Sequence, residues 1–285
     1  MGRRMPAVSG LFYAASEDAL IKQIKTCFTS EVGPGRLPDS PIRAGDRKLP
    51  ILISPHAGYM YSGPVAAHGY LLLEGRRKPR TVVVVGPNHY GVGAEVSIFP
   101  DGEWITPLGA VKIDHELAVK LAGESDIFSL DEASHSREHS IEVQLPFLQY
   151  LLRDFKFLPV CMLDQSESTA AEVGDALARV INGEDILLVA SSDFTHYEPH
   201  EAVKRKDSQA LDMITRLDVN GMYRVMYEHE ITMCGYGAIA AVMTAAKRLG
   251  AGECRVLKHA TSGDTGGDYS SVVGYASCVI ELPER

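Results

Sequence analysis

Ile186-Leu187-Leu188-Val189-Ala190-Ser191-Ser192-Asp193-Phe194-Thr195-His196 is a five-residue apolar run that breaks abruptly into polar and ionisable residues. A short continuous apolar run, here preceded by the charged pair Glu184-Asp185, reads as a strand buried on both faces. Two other runs share the form. Ile51-Leu52-Ile53 leads through Ser54-Pro55 into His56-Ala57-Gly58-Tyr59, and Val82-Val83-Val84-Val85 leads into Gly86-Pro87-Asn88-His89-Tyr90. Between them lie helical patterns near 64–75, 114–122, 140–152, 166–181, 200–216 and 236–249, with an earlier one over 17–29 capped by Ser16. Pro146 interrupts the pattern at 140–152, so that helix should kink or start late. Residues 95–113 read as a β-rich excursion, and further strands are expected near 156–161, 254–260 and 272–280. The alternation predicts a single α/β domain over 1–285, with a central, largely buried mixed sheet flanked by helices. Gly33 to Arg47 holds three prolines and three glycines without periodicity and reads as a surface loop.

Composition narrows the classes of function. With 45% hydrophobic and 23% charged residues, the 285-residue chain has the balance of an ordinary globular protein and needs no disulfide staples. The formal net charge is -9. Arg76-Arg77-Lys78-Pro79-Arg80 and Lys204-Arg205-Lys206 sit before a strand and inside an amphipathic helix pattern, where they read as solvated faces, so no nucleic-acid partner is expected. No apolar stretch approaches the roughly 18 residues of a membrane span, and nothing after Met1 to Arg4 resembles a signal peptide. Five cysteines form no CxxC pair. Cys27, Cys161, Cys254 and Cys278 lie among apolar neighbours and read as buried free thiols, which suits a reducing, cytoplasmic setting. The glycine-rich stretch Ser262 to Ser271 matches neither common nucleotide motif. It reads as a plain loop, able to cover a pocket or bind an anion, and no nucleotide cofactor is expected.

In open α/β sheets, sites form beyond the carboxyl ends of the strands. His56, His89 and the pair Asp193 and His196 all follow apolar strands, so three elements can aim imidazoles at one edge of the sheet. One such histidine would be unremarkable; three at equivalent places point to a shared pocket. The segment His135-Ser136-Arg137-Glu138-His139-Ser140-Ile141-Glu142 adds His139 and Glu142 as candidates, although Ser140 and the acids would also suit a helix start. His135, at the polar start of that segment, should be exposed. Tyr59 and Asn88, beside the first two histidines, are further candidates. Cys234 precedes Gly235 and an alanine-rich helix, where a thiol ionises more readily and the backbone can approach closely. Imidazoles suit iron, copper and zinc, a thiolate favours softer ions, and two histidines with one carboxylate suit iron(II) with open positions.

Taken together, Ser9-Gly10-Leu11-Phe12-Tyr13, Pro55-His56-Ala57-Gly58-Tyr59, Gly86-Pro87-Asn88-His89, Glu138-His139-Ser140-Ile141-Glu142, Ser191 to His196 and Cys234-Gly235 resemble the Memo family over nearly the whole chain. The resemblance implies a fold similar to class III extradiol dioxygenases, and a metal position at His56, His89 and Cys234. Asp193, His196 and His139 would line it as acid–base or supporting groups. Those dioxygenases use two histidines and a glutamate, so Cys234 is a departure that bears on redox behaviour. The resemblance further implies iron(II) or copper, and a link between microbial members and a radical-SAM protein; zinc is a further ion that the donor set would accept. It also associates animal members with phosphotyrosine-peptide binding. The leading expectation is a metal-dependent redox protein, an oxygen-using enzyme acting on a small molecule. The alternatives are a non-catalytic module recognising an anionic or phosphotyrosine-like peptide, and a metal-assisted hydrolase with Glu142 or Asp193 activating water.

Overall fold

The computed structural model describes residues 2–39, 41–43 and 45–283. Its first half contains β1 (Arg3–Arg4), α1 (Glu17–Thr29), β2 (Ile51–Ser54), α2 (Gly63–Leu71), β3 (Thr81–Pro87), β4 (Val96–Ile98), β5 (Glu103–Thr106), β6 (Gly109–Lys112), α3 (His115–Ala122) and β7 (Phe128–Leu130). The second half contains α4 (Leu145–Leu152), β8 (Lys156–Met162), α5 (Glu167–Ile181), β9 (Ile186–Ser191), β10 (His196–Glu198) and α6 (His200–Thr215). It ends with α7 (Val219–Glu228), α8 (Tyr236–Arg248), β11 (Cys254–Thr261), α9 (Ser262–Gly266) and β12 (Val272–Ile280).

The apolar runs pair as a sheet of order β10-β12-β2-β9-β3-β8-β4-β7, with β11 also on β12. Its centre, β2-β9-β3-β8, is parallel, while β12, β10, β11 and β4 join antiparallel, so the sheet is mixed. Alternate residues face opposite sides, as strand geometry requires. Ile51, Ile53, Val83, Val85, Leu188 and Ala190 pack with α3, α5, α6 and α8. Leu52, Val82, Val84, Leu187 and Val189 pack with α1, α2 and α4. The result is a layer of helices on each face of the sheet, the architecture expected from the alternating runs. Helix α5 lies very close to α8: a Cβ on Gly174 would stand 2.5 Å from the Ala241 carbonyl oxygen.

The proline expectation holds: a 3-10 turn at Glu142–Gln144 precedes α4, and Pro146 lies in the first turn of that helix. Helix α7 was not expected, because Asn220 and Gly221 weaken the periodic signal at its start. Within 33–47, Ser40 and Ala44 lie outside the described residues; the remainder forms no helix, and its strand pairing is limited to the bridge between Arg47 and Arg76. No helix among the described residues is long and apolar enough to cross a membrane.

A second, three-stranded sheet, β1-β5-β6, holds the N-terminal residues against the main body. Here two expectations are corrected. Glu142 does not face the pocket. Its carboxylate is fully buried and pairs with Arg4, accepts the backbone N–H groups of Ala7 (2.8 Å) and Val8 (3.1 Å), and accepts the Tyr13 hydroxyl at 2.5 Å. Its partners come from the chain's start, more than a hundred residues away, which spacing within its own segment could not reveal. His135 is not exposed. Its ring lies against Phe99 and Trp104, with centroids 5.6 and 5.8 Å away, and both ring nitrogens are buried. The Arg4 guanidinium stacks 4.1 Å over Trp104 in the same cluster.

Both findings have measurable consequences. Removing one member of a buried ion pair strands the other, so Glu142→Ala should lower stability by about 3–5 kcal/mol in urea unfolding; an unchanged midpoint would count against this role. Burial, and then the Arg4 charge, push the His135 pKa down to about 3. An unfolded histidine binds its proton near about pH 6.5, so the unfolded state holds more protons between that value and about 3, and stability falls as pH falls through this window. His135→Phe should therefore flatten the stability–pH curve there by about one proton's worth of slope. Identical curves for the two proteins would show that His135 does not contribute.

Candidate metal centre

The parallel register sets the site. Ser54 pairs with Ser191, and Val85 with Ala190, so β2, β9 and β3 end nearly level. The chain leaves β2 through Pro55 to His56, leaves β3 at Pro87 toward His89, and leaves β9 through Ser192 to Asp193. Cys234 arrives from the other direction, just ahead of α8. Gly235 follows it and lies so close to β9 that a Cβ there would stand 2.4 Å from the Ser191 carbonyl oxygen. One ligand atom each from His56, His89 and Cys234 lies within 4.8 Å of the others, and Cys234 Sγ is 3.2 Å from His56 Nε2. Metal–nitrogen and metal–sulfur bonds of about 2.0 and 2.3 Å at a tetrahedral angle would separate such donors by roughly 3.5 Å, so the spacing fits a shared ion.

Hydrogen bonding decides which nitrogens are free. Ser191 Oγ donates its one hydrogen to the Ser140 carbonyl at 2.6 Å and accepts from Gln144 Nε2 at 2.8 Å. The Tyr70 hydroxyl donates to Gln144 Oε1 at 2.6 Å and so fixes that amide's orientation. With its hydrogen committed, Ser191 Oγ can only accept from His56 Nδ1, 2.9 Å away. His89 Nδ1 lies 2.9 Å from Glu138 Oε1, a carboxylate oxygen that also only accepts. Each ring thus carries its proton on Nδ1 and presents the Nε2 lone pair to the site, the arrangement by which outer hydrogen bonds orient metal-binding histidines.

Glu138 is fully buried and also accepts the backbone N–H of His89 (2.7 Å), His139 (2.8 Å) and Ser140 (2.8 Å). Burial alone would raise its pKa; hydrogen bonds and charge from His89, then the charge of His139, outweigh this and hold the carboxyl far below the usual range. Glu138, His89 and His139 also cluster as a set of possible donors, but the carboxylate is already committed to these N–H groups, which favours the triad containing Cys234.

Burial, followed by repulsion from His139 and His89, keeps His56 neutral well below its ordinary pKa. The His139 ring stacks on His89 with centroids 4.6 Å apart, and burial lowers its pKa to about 4 against the opposing pull of Glu138. Asp193 Oδ1 accepts the His56 N–H at 2.8 Å, yet burial still pushes its carboxyl up to about 6. His196 Nδ1 lies 2.8 Å from the Thr232 carbonyl and therefore bears its hydrogen, leaving Nε2 as an acceptor. Cys234 corrects the expectation of an easily ionised thiol: burial, then the nearby Asp193 charge, raise its pKa, outweighing the hydrogen bond from the Asp193 N–H to Sγ at 3.3 Å.

His56, His89, His139, Asp193, His196 and Cys234 all line one open cavity of about 750 Å³. Glu142 is absent from its wall, as described. Tyr59 is buried, and its hydroxyl donates to the Val143 carbonyl at 2.7 Å, a structural role. Asn88 builds the turn after β3, donating to Val92 O and accepting from the N–H groups of Tyr90 and Gly91. The glycine-rich stretch is not a plain loop. It opens with α9, whose Thr261 and Asp264 form a capping box, and it gives Ser262, Gly266, Asp268 and Ser271 to the wall. The orienting residues Glu138, Ser191 and Gln144 were not among the candidates. The crowding of ionisable residues around Glu138 was a usable signal; nothing near Ser191 or Gln144 marked them out.

A family model described as Memo-like protein matches residues 4–279. A MEMO1 family protein of Methanopyrus kandleri is 48% identical over 97% of this chain and 98% of its own length. Another, from Methanothermobacter thermautotrophicus, is 50% identical over 96% and 98% respectively. An uncharacterized protein from Escherichia coli K12 shares the fold, with a TM-score of 0.56 at 16% identity over 82% of this chain and 100% of its own. On the extent of these matches, the chain belongs to the Memo family.

Proposed function

We propose that this Memo family protein is metal-dependent and redox-active, with His56, His89 and Cys234 holding one iron(II) or copper ion beside a cavity that admits an organic substrate. Zinc is the other ion the donors would accept. The observation that carries the reading is the convergence of one donor atom each from His56, His89 and Cys234 within 4.8 Å, each imidazole locked from behind by a hydrogen bond to Ser191 or Glu138. With three protein ligands, such an ion keeps positions open and supplies Lewis-acid and, for iron or copper, one-electron chemistry. The chain's own residues supply the rest. His196 offers Nε2 to the cavity as a proton acceptor, Asp193 lies beside the Cys234 sulfur, and His139 stacks on His89 as a second group able to hold a proton. The Phe12 ring packs against His139, with centroids 4.8 Å apart.

The anionic-peptide alternative draws little support from the cavity, because no lysine or arginine lines it among the described residues. The hydrolase alternative loses Glu142, which is tied to Arg4.

Anaerobic purification with elemental analysis tests the reading. Wild type should carry or take up about one equivalent of metal, and His56→Ala and Cys234→Ser should lose it while keeping a native circular-dichroism spectrum. Full retention in both variants would remove these residues as ligands. Glu138→Gln should weaken metal affinity by about 10- to 100-fold in a chelator competition, as expected when an orienting partner is lost.

A further inference from the structure

The wall of the cavity is chemically uneven. Its charged side chains among the described residues are Asp193 and Asp268, with no lysine or arginine opposite them. Asp193 lies deep and is bonded to the His56 N–H. Asp268 is exposed. The Ser270 N–H and hydroxyl donate to its Oδ1 at 2.9 and 2.7 Å, which leaves Oδ2 for another donor. The rim is unusually apolar for a surface. Leu11 is 79% exposed, Met60 65%, Tyr61 39% and Tyr197 76%, and all four line the same opening. Tyr197 also has a positive φ of 59°, which L residues rarely adopt, at the register irregularity of β10 that separates His196 from Glu198. Large apolar side chains gathered in water around a cavity mark a ligand surface. Aromatic faces carry negative potential and attract cations, as does a carboxylate.

We infer that the cavity takes a cationic aromatic amine, with its ring among the exposed Leu11, Met60, Tyr61 and Tyr197 side chains of the mouth and its ammonium group at Asp268. The far end of the molecule would then approach His56, His89 and Cys234. That orientation rests on the proposed metal centre; the preference for positive charge does not, since it comes from the wall.

The test compares two probes with the same phenol ring and opposite charge, tyramine and 4-hydroxyphenylacetate, by isothermal titration calorimetry at neutral pH. Tyramine should bind about tenfold more tightly or better. Asp268→Asn should bring the two affinities together by weakening tyramine alone, and Tyr197→Ala should weaken both, with thermal melts checking that each variant folds. Equal or tighter binding of 4-hydroxyphenylacetate, or no binding of tyramine at millimolar concentration, would overturn the inference. Repeating the titrations on protein stripped with a chelator, with metal content measured, separates the two readings. A retained tyramine preference in a chain that takes up no metal would sink the metal centre and leave this inference standing. A loaded protein without the preference would do the reverse.

Discussion

Parallel pairing of β2, β9 and β3 is the constraint on which the site depends. Side chains in a strand alternate, and both faces of these strands are covered by helices, so neither face is free for chemistry. What remains is the edge where the strands stop. Because Ser54 pairs with Ser191 and Val85 with Ala190, the stops coincide, and the sheet brings the residues just beyond them together before their own hydrogen bonds orient them. The cavity is therefore positioned by a sheet whose two faces are both packed into hydrophobic core.

Polar groups buried beneath that edge do different work. Ser191 and Glu138 are fully buried, and each makes several hydrogen bonds, as an interior polar group must if it is not to destabilise the fold. Their bonds hold the two imidazoles in one tautomer. Glu142 lies only a few residues from His139 but serves another purpose: it pins the segment from Arg4 to Tyr13. That segment carries Leu11 and Phe12 to the cavity, and the Phe12 carbonyl accepts the Tyr59 N–H at 2.7 Å. One carboxylate thus orients a histidine, while its neighbour four residues on builds a wall.

The layered α/β plan was legible because uninterrupted apolar runs such as Val82 to Val85 admit few other readings. His56, His89, Asp193 and His196 were legible because they follow such runs directly. Their grouping with Cys234 came from the family resemblance; no spacing rule connects residues so distant in the chain. The errors share one cause. Glu142 and His135 were judged from their immediate neighbours, whereas their environments are set by Arg4, Phe99 and Trp104, which a linear reading cannot bring near. Cys234 differs for the same reason: its position near a helix start is visible in the sequence, but the burial and the Asp193 charge that outweigh it are not.

The close seam between α5 and α8 bears on precision. Gly174 lets the two helices approach until its backbone meets the Ala241 carbonyl and the Thr244 side chain, which leaves little room at that point to absorb an error. Cys234 sits at the end of α8, where Gln165, just before α5, grips both sides of the junction by donating to the Cys234 carbonyl and accepting the Gly237 N–H. In mechanical terms, the helix is a rigid spacer of fixed thickness with the sulfur mounted on its tip. The placement of that sulfur is a tolerance inherited from a joint well removed from it, and volume added at the joint would be transmitted to the tip.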